Sequence, residues 1–368
     1  MHYQLLIMCK NIKLFISSTL LIALFSTCKT DSPSTSRSIQ NNKEQVAFSK
    51  ISGRTMGTTY NVIYQSEINY KSKIDSLLVD INNGVSTYIP TSTISVVNND
   101  SLGLRSQNTV TYNIKPNTHF ENNFLASKDV FLKSDKYFDP TIMPLVNYWG
   151  FGYKTKRPIE EADTQKVNAL KVKVDFDKWT AQIIDSILQV QKPIGAELDF
   201  SGIAKGYGVD MVASFLDDLN IENYFVEIGG EVMVKGQNDR GTPWTIGLSK
   251  PEVNAGFRDF QTLVSLSNVG MASSGNYRNY YEVNGQTYGH EINPKTGFPE
   301  ISKLLGTSVI ASNCKLADAY ATAFMVMGLD KSVVLIEELN NTEACFFIRS
   351  ENGEIETINS SGFGSYLK

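Results

Sequence analysis

The body of the chain, residues 46–368, runs without an internal repeat or a second linker, and this continuity limits the fold more than any other feature. A segment of that length forms either one large domain or two fused ones. Stretches that alternate apolar and polar residues are mixed with stretches of helical spacing, without the regular strand–helix–strand order of a doubly wound sheet. We therefore predict an α+β fold, with mixed sheets and packed helices in one large domain.

Local periodicity predicts several elements of this fold. Residues 55–64 and 244–249 alternate apolar and polar side chains, which is typical of half-buried strands. Apolar residues from Ile74 to Val85 recur at helical spacing, so a helix is expected there.

The composition excludes several classes of protein. The chain is 42% hydrophobic, 11% aromatic and 20% charged, so it can bury a core and is neither disordered, collagen-like nor a disulfide scaffold. Its formal net charge is −4 and no run of lysine or arginine occurs. We expect no nucleic-acid partner.

The first 27 residues have the pattern of an export signal. Lys10 and Lys13 precede a mostly apolar run, residues 14–25, which is shorter than the ~20 apolar residues of a spanning helix. The run ends in Ser-Thr-Cys28, which resembles the lipobox of bacterial lipoproteins, and a lipid on Cys28 is expected. In the alternative, the signal is cut further on and Cys28 is unmodified. Translation could start at Met1 or at Met8.

The next segment, residues 28–45, is polar and almost without apolar side chains, so it predicts a flexible tether. Once the signal is removed and Cys28 is modified, two cysteines remain, Cys314 and Cys345. They either form a disulfide, as an exported protein allows, or stay free in the core.

Four stretches of the body have compositions that suggest a site. The first comprises residues 137–141 and 144–152, where prolines and glycines shape the backbone and Tyr148, Trp149 and Phe151 offer flat apolar surface. These rings either line a pocket or plug the core.

The second stretch is Glu197–Asp210. We predict that an apolar strand ends near Asp199 and that a helix begins near Gly202. Free N–H groups at a helix N-terminus, with Lys205 in the first turn, suit a phosphate group. In the alternative the glycines mark only a tight turn, since neither a P-loop nor the GxGxxG pattern is present.

The third stretch comprises residues 272–278 and 288–299, and it contains His290. A histidine in a loop bounded by proline and glycine suits a general base near neutral pH, although a structural role is the alternative. His119 is the other histidine of the mature body, and we expect it to cap or flank a helix.

The fourth stretch, residues 316–328, is an alanine-rich helix that should end at Gly328. Asp318 and Thr322 are four residues apart and therefore share a face. Their hard oxygen atoms suit Mg²⁺. The alternative is that Asp318 favours the helix N-terminus and Thr322 is merely packed.

Together and in this order, the stretches resemble the ApbE family of flavin transferases, the FAD:protein FMN transferases. The similarity extends from Met56 to Gly328, so it covers nearly all of the mature body. The matching motifs are Asp199-Phe-Ser-Gly-Ile-Ala-Lys-Gly-Tyr207, Ser274-Gly-Asn-Tyr-Arg278, His290-Glu-Ile-Asn-Pro-Lys-Thr-Gly297 and Ala317-Asp-Ala-Tyr-Ala-Thr-Ala323.

The resemblance implies a role for individual residues. His290 would activate the acceptor hydroxyl, and Mg²⁺ would be bound by Asp318, Thr322 and the backbone carbonyl of Gly202. The chain departs from the family pattern at Gly289, Glu291 and Asn293. The residues expected to contact FAD are Met56, Tyr88, Tyr137, Phe138, Asp139, Asp199, Lys205 and Ile292.

The implied reaction is Mg²⁺-dependent transfer of FMN from FAD, the substrate, to a Ser or Thr hydroxyl of an acceptor protein, with release of AMP. The catalytic domain would be residues 46–368, and the acceptor a protein such as a subunit of a membrane redox complex. The lipid would anchor the exported protein to a membrane of the bacterial cell envelope, on the periplasmic side. The alternatives are hydrolysis of FAD to FMN and AMP, and a flavin-binding lipoprotein without catalysis.

Overall fold

A computed structural model describes residues 47–154, 162–252, 256, 259–276, 280–283, 286–300 and 302–368. The expected signal peptide, Cys28 and the tether to residue 45 lie outside these residues. Tyr277 and Arg278, in the motif that begins at Ser274, also lie outside the described residues.

Strands and helices are intermixed along the chain. The helices are α1 (Lys71–Val85), α2 (Thr93–Asn98), α3 (Thr118–Lys133), α4 (Met143–Tyr148), α5 (Thr164–Lys171), α6 (Ala204–Asp218), α7 (Cys314–Met327) and α8 (Leu329–Glu338). The strands are β1 (Phe48–Thr55), β2 (Thr58–Gln65), β3 (Leu104–Arg105), β4 (Thr109–Ile114), β5 (Thr180–Ile184), β6 (Ile187–Pro193), β7 (Tyr224–Ile228), β8 (Glu231–Lys235), β9 (Trp244–Ser249), β10 (Phe260–Leu266), β11 (Val269–Gly275), β12 (Tyr280–Val283), β13 (Gln286–Gly289), β14 (Leu304–Ala311), β15 (Thr342–Arg349) and β16 (Ile355–Asn359).

An antiparallel sheet of eight strands forms the centre, in the order β1-β2-β7-β8-β11-β14-β15-β16. The first and the last strand of the described chain are therefore the two edges of one sheet. A second sheet has the order β3-β4-β6-β5, and β9–β10 and β12–β13 form two-stranded pairs. This arrangement confirms the predicted α+β class.

The central sheet has an apolar layer on each face. Helices α6 and α7 cover one face with the largest core, which includes Ile228 and Val309. The β9–β10 pair covers the other face with a smaller core, in which Trp244 and Leu248 pack against Met271. Side chains alternate between the two faces along each strand, so neighbouring residues of one strand belong to different cores.

Several local predictions are confirmed. Helix α1 contains the apolar series from Ile74 to Val85, β9 coincides with residues 244–249, and α7 ends before Gly328, whose φ of 74° suits a glycine. The alternating stretch 55–64 is divided by a turn at Met56 and Gly57, whose φ angles are 48° and 73°. It therefore contains the end of β1 and most of β2.

The prediction of a strand that ends near Asp199 is wrong, because β6 ends at Pro193. The chain turns at Gly195, where φ is 76°, and the next residues have no regular strand partner. They are held instead by Asn98, whose side chain hydrogen bonds to both the N–H (2.7 Å) and the carbonyl (2.8 Å) of Leu198. A buried apolar run can be satisfied by one such amide as well as by a neighbouring strand.

The two remaining cysteines are buried and free, which decides between the alternatives that the sequence left open. Burial raises the pKa of the Cys345 thiol to about 12. Neither thiol is therefore an accessible nucleophile.

Within the described residues, no helix has both the length and the apolar character needed to cross a bilayer.

Helices α6 and α7 approach each other closely through Gly206. A Cβ atom at this position would lie 2.4 Å from the carbonyl oxygen of Cys314 and 2.8 Å from Cβ of Asp318. Asp210, one turn further along α6, accepts hydrogen bonds from the first N–H groups of α7, at Cys314 (2.7 Å) and Lys315 (2.9 Å). The contact thus sets the position of α7, and of Asp318 on it, relative to the start of α6.

We predict that Gly206→Ala destabilises the protein by about 1–3 kcal/mol, because the added methyl group meets backbone that cannot move without separating the helices. The measurement is the free energy of unfolding in urea. Gly364→Ala is the control, since a Cβ there meets nothing within 4 Å; a change of at most about 0.5 kcal/mol is expected. Equal effects of the two variants would contradict the close-packing argument.

Candidate functional site

A cavity of about 660 Å³ lies where α6, α7 and the loop after β13 meet the central sheet. The aromatic stretch, residues 137–141 and 144–152, forms another part of its wall. The volume of the cavity is in the range of small-molecule sites. The expected site residues that line it are Tyr88, Tyr137, Phe138, Asp139, Asp199, Gly202, Lys205, His290, Ile292, Asp318 and Thr322.

Met56 is the one expected FAD contact that does not line this cavity. It lies in the β1–β2 turn, where its φ is 48°. A Cβ placed on Gly208 would be 2.9 Å from the Met56 methyl carbon, so this side chain packs against the helix.

The chain reaches α6 through a tight turn that begins at Asp199. The Asp199 N–H donates to the carbonyl of Pro140 (2.6 Å), and its Oδ1 accepts from the N–H of Ser201 (2.8 Å). Burial raises the pKa of this carboxyl. The turn joins the second stretch to the first, so that Asp199 and Asp139 face the same cavity.

Asp139 is buried and is held by its own turn. Its Oδ1 accepts from both the N–H (2.8 Å) and the hydroxyl (2.6 Å) of Thr141. Burial raises the pKa of Asp139 to about 6, although the bonds from Thr141 oppose this shift.

A chain of charged groups lies at the start of α6. Lys205 Nζ is 3.1 Å from Oε1 of Glu231 and 3.6 Å from Oδ1 of Asp318. Both carboxylates are buried, at 4% and 2% exposure. Burial acts to lower the pKa of Lys205, but Asp318 and Glu231 outweigh it and the net shift is upward. Burial raises the pKa of Glu231, and Lys205 only partly opposes this.

Glu231 is not among the residues that the sequence motifs predicted for the site. The sequence does contain a signal, the Gly229-Gly230 pair directly before it. In the structure both glycines have positive φ, 64° and 110°, in the turn between two buried strands. Such a turn brings the next side chain close to the neighbouring elements. Glu231 Oε2 has no hydrogen-bond partner among the described residues, although the atom is buried.

The three residues expected to bind Mg²⁺, Gly202, Asp318 and Thr322, line the same cavity. Asp318 and Thr322 lie one turn apart on α7, and both line the cavity. Gly202 packs against Thr322, because a Cβ on Gly202 would be 3.0 Å from the Thr322 hydroxyl oxygen. The described residues contain no cluster of three or more His, Cys, Asp or Glu side chains able to bind a metal. A set of one carboxylate, one hydroxyl and one carbonyl nevertheless fits Mg²⁺, which keeps several waters and binds substrate phosphates.

His290 also lines this cavity, in the loop after β13. Its Nε2 is 3.1 Å from Oε1 of Glu291, and its side chain is 32% exposed. Glu291 itself is buried. Nδ1 of His290 has no hydrogen-bond partner within the described part of the chain. Glu291, one of the three residues that depart from the family pattern, thus orients the imidazole.

The aromatic stretch divides into two groups. Trp149 is buried in a small core with Ile292, and its indole N–H donates to the carbonyl of Gly297 (2.8 Å). Phe151 and Tyr153 line the cavity instead. Both alternatives from the sequence therefore hold, each for a different ring.

The rim of the cavity includes Tyr88, which is 67% exposed and packs edge-on against Tyr153 at 6.2 Å. Tyr137 lies deeper, where its hydroxyl accepts a hydrogen bond from Lys331. The ammonium of Lys295 is 3.9 Å from the centre of the Tyr137 ring. These rings provide flat walls, and the lysines leave cationic charge beside them.

His119 lies outside the cavity lining. It belongs to the first turn of α3, where its ring nitrogens contact the Tyr207 hydroxyl (2.9 Å) and an Asp80 carboxylate oxygen (3.2 Å). The expectation that it flanks a helix agrees with this position, and its contacts join α3 to α6 and α1.

Comparison with known proteins gives the same family from sequence and from structure. The model of the ApbE family matches residues 56–346. The FAD:protein FMN transferase of Haemophilus influenzae is 37% identical over 322 residues, which cover 85% of this chain and 90% of that protein. The FAD:protein FMN transferase of Vibrio cholerae is 34% identical over 317 residues, with 84% and 90% covered.

Solved structures agree in fold. The flavin transferase ApbE from Vibrio cholerae superposes with a TM-score of 0.74 at 32% identity, covering 87% of this chain and 99% of that one. The apo form of the Pseudomonas stutzeri flavinyl transferase ApbE gives a TM-score of 0.75 at 29% identity, with 87% and 97% covered. The matched region contains each residue of the cavity that the motifs predicted, and the chain therefore belongs to the ApbE family.

Proposed function

We propose that this chain is an enzyme that transfers FMN from FAD to a Ser or Thr hydroxyl of an acceptor protein, with Mg²⁺ bound, and releases AMP. The relatives named FAD:protein FMN transferase support the transfer reaction. The observation that carries the proposal is the meeting of Lys205, at the start of α6, with Asp318 and Thr322 of α7 in one cavity that also contains His290.

The bond changes define what these residues have to do. The acceptor oxygen forms a bond to the phosphorus on the FMN side, and the bond from that phosphorus to the AMP oxygen breaks. The proton of the acceptor hydroxyl goes to a base, and AMP leaves with the second phosphate. Such transfer depends on positioning and on stabilising the charge of the phosphate oxygens.

The start of α6 would seat the pyrophosphate. The Ala204 N–H donates to the Phe200 carbonyl (2.8 Å) and the Gly206 N–H donates to Asp318 Oδ2 (2.9 Å), so the main attraction for phosphate here would be the positive charge of Lys205. Asp318, Thr322 and the Gly202 carbonyl would bind Mg²⁺, which supplies charge neutralisation for the phosphates. The buried position of Asp318 keeps its carboxylate fixed and strengthens its electrostatic effect.

His290 would take the proton of the acceptor. Glu291 Oε1 lies beside Nε2, so it orients the imidazole and favours a proton on Nε2. A hydroxyl is a poor nucleophile, and a base within hydrogen-bond reach compensates for this. The Glu291 carboxylate would also stabilise the imidazolium that forms.

The remaining contacts would bind the rest of FAD. Tyr88, Phe138 and Tyr137 offer walls for the flat rings, and Asp139 and Asp199 offer carboxyl oxygens to ring or sugar donors. Ile292 lies in the same loop as His290 and ties that loop to the small core around Trp149. Met56 would reach FAD only if the β1–β2 turn moved.

We predict that His290→Ala binds FAD with nearly wild-type affinity but attaches FMN to an acceptor at least about 100-fold more slowly, because a general base typically contributes about 10²–10⁴-fold. A rise in pH should partly restore the rate, since more acceptor hydroxyl ionises unaided. The measurements are FAD titration by fluorescence and covalent flavin on the acceptor by intact mass.

His119→Ala is the matched control for the histidine variant. Its imidazole holds α3 to α6 outside the cavity, so stability should fall while the rate per folded molecule stays near that of the wild type. Loss of FAD binding in step with activity would make His290 a binding residue. Free FMN in place of labelled acceptor would favour the hydrolysis alternative, and bound FAD with no product from the wild type would favour simple binding.

We predict that Asp318→Asn lowers turnover at limiting Mg²⁺ by more than about tenfold, because even outer partners of a metal site typically cost about 10–100-fold in affinity. Asparagine keeps an oxygen for the Gly206 N–H, which Asp318 Oδ2 accepts at 2.9 Å, so the fold should be retained. The measurement is AMP release against Mg²⁺ concentration. Asp330→Asn, on the exposed start of α8, is the control. An unchanged Mg²⁺ dependence for Asp318→Asn would rule out Asp318 as a metal ligand.

We also propose that the protein is exported and anchored by a lipid on Cys28, on the periplasmic side of a bacterial membrane. The short apolar run before Ser-Thr-Cys28 and the polar tether after it support this location. The tether would let the domain reach an acceptor at the same membrane.

We predict that Cys28→Ser moves the protein from the membrane fraction to the soluble exported fraction, because the thiol that accepts the lipid is absent. The test is fractionation of cells that produce the full chain, with intact mass of the membrane-bound form. Cys345→Ser keeps Cys28 and is the control. Membrane association that persists in Cys28→Ser, with no lipid mass on the wild type, would refute the anchor.

A further inference from the structure

The buried carboxylate of Glu231 lines the cavity, but it has no part in the proposed transfer of FMN. Its Oε1 is within hydrogen-bond distance of Lys205 Nζ, at 3.1 Å, whereas Asp318 Oδ1 is 3.6 Å from the same ammonium. Lys205 therefore hydrogen bonds to Glu231 and also forms a longer ion pair with Asp318. The carboxylate that Lys205 binds, Glu231 or Asp318, is less available to a cation than the other one.

Asp318 is not able to turn away from this lysine. Its Oδ2 accepts the N–H of Gly206, and the close contact of α6 and α7 fixes that bond. Oδ1 is therefore the oxygen that faces Lys205. If the ammonium moved onto Oδ1, it would occupy the oxygen that the proposed Mg²⁺ site needs.

Glu231 is placed with equal firmness. It pairs across β7 and β8 with Ile228, and the turn between them is closed by a hydrogen bond from the Gly230 N–H to Glu227 Oε1 (2.7 Å). Oε2 of Glu231 accepts no hydrogen bond from the described residues. The buried carboxylate is thus not satisfied by the fold around it, and Lys205 is its charged partner.

The charges of the group favour a cation. With both carboxylates ionised and the lysine protonated, the group has a net charge of −1 in a buried site, where electrostatic attraction is stronger than in water. Without the charge of Glu231, Lys205 and Asp318 would form a neutral pair. A neutral pair attracts Mg²⁺ less, and its lysine competes for the same oxygen.

We propose that Glu231 is a positioning residue for the cation site: it holds the Lys205 ammonium so that Asp318 Oδ1 remains available to Mg²⁺. The inference rests on the proposed function for the identity of the cation. It assigns Glu231 an effect through Lys205 rather than contact with the metal.

The test is Mn²⁺ binding without FAD, by the loss of the free Mn²⁺ signal in electron paramagnetic resonance and by calorimetry. We expect Glu231→Gln to raise the Kd for Mn²⁺ by at least about tenfold, which corresponds to about 1.4 kcal/mol. Glu227→Gln is the matched control. Glu227 is buried on the neighbouring strand and does not line the cavity, and a glutamine there keeps an oxygen for the Gly230 N–H. Its Kd should stay at the wild-type value.

A second variant keeps the proposal testable if Glu231→Gln does not fold. Lys205→Met removes the ammonium that competes for Asp318 Oδ1, so it should bind Mn²⁺ at least as tightly as the wild type, although FAD turnover should fall. Weaker Mn²⁺ binding by Lys205→Met would overturn the proposal. So would an unchanged Kd in folded Glu231→Gln, an equal rise in Glu227→Gln, or a wild type that binds no Mn²⁺ without FAD.

The same titration separates this inference from the proposed function. A wild type that binds Mn²⁺ but neither transfers FMN nor cleaves FAD would refute the function, and the variants would still decide the role of Glu231. A wild type that transfers FMN while Glu231→Gln shows an unchanged Kd would refute only the role of Glu231.

Discussion

The close packing of α6 on α7 through Gly206 is the constraint on which the site depends. It lets the Gly206 N–H reach Asp318 Oδ2 at 2.9 Å, and it brings Gly202 against Thr322. A side chain larger than hydrogen at this crossing would separate the helices, and the phosphate seat would move away from the proposed metal ligands. The cap that Asp210 provides for α7 reinforces the same arrangement.

Electrostatics follow from this packing. Because α6, α7 and the start of β8 bring a lysine and two carboxylates together, the group has a net charge of −1 when both carboxylates are ionised and no ligand is bound. That charge is unfavourable for FAD phosphates by themselves and favourable for a divalent cation. Metal and FAD binding should therefore depend on each other, with Lys205 between the two.

Much of the molecule follows from local sequence patterns. Apolar spacing predicted α1, α6 and β9, and the alanine-rich composition before Gly328 predicted α7. The motifs identified the family. Every site residue predicted from the resemblance lines the cavity except Met56. The strand expected before Asp199 failed, because a single side chain, Asn98, satisfies that backbone from a distant part of the chain.

The sequence by itself determined the fold class, the family and the residue types of the site, since these depend on periodicity and on motifs that are contiguous in the chain. Only the tertiary structure decided which groups meet: Glu231 with Lys205, Glu291 with His290, and both cysteines apart and buried. The partners of Lys205 lie 26 and 113 residues away from it in the chain. Contacts over such separations arise from the crossing of helices and the order of strands, which local patterns do not specify.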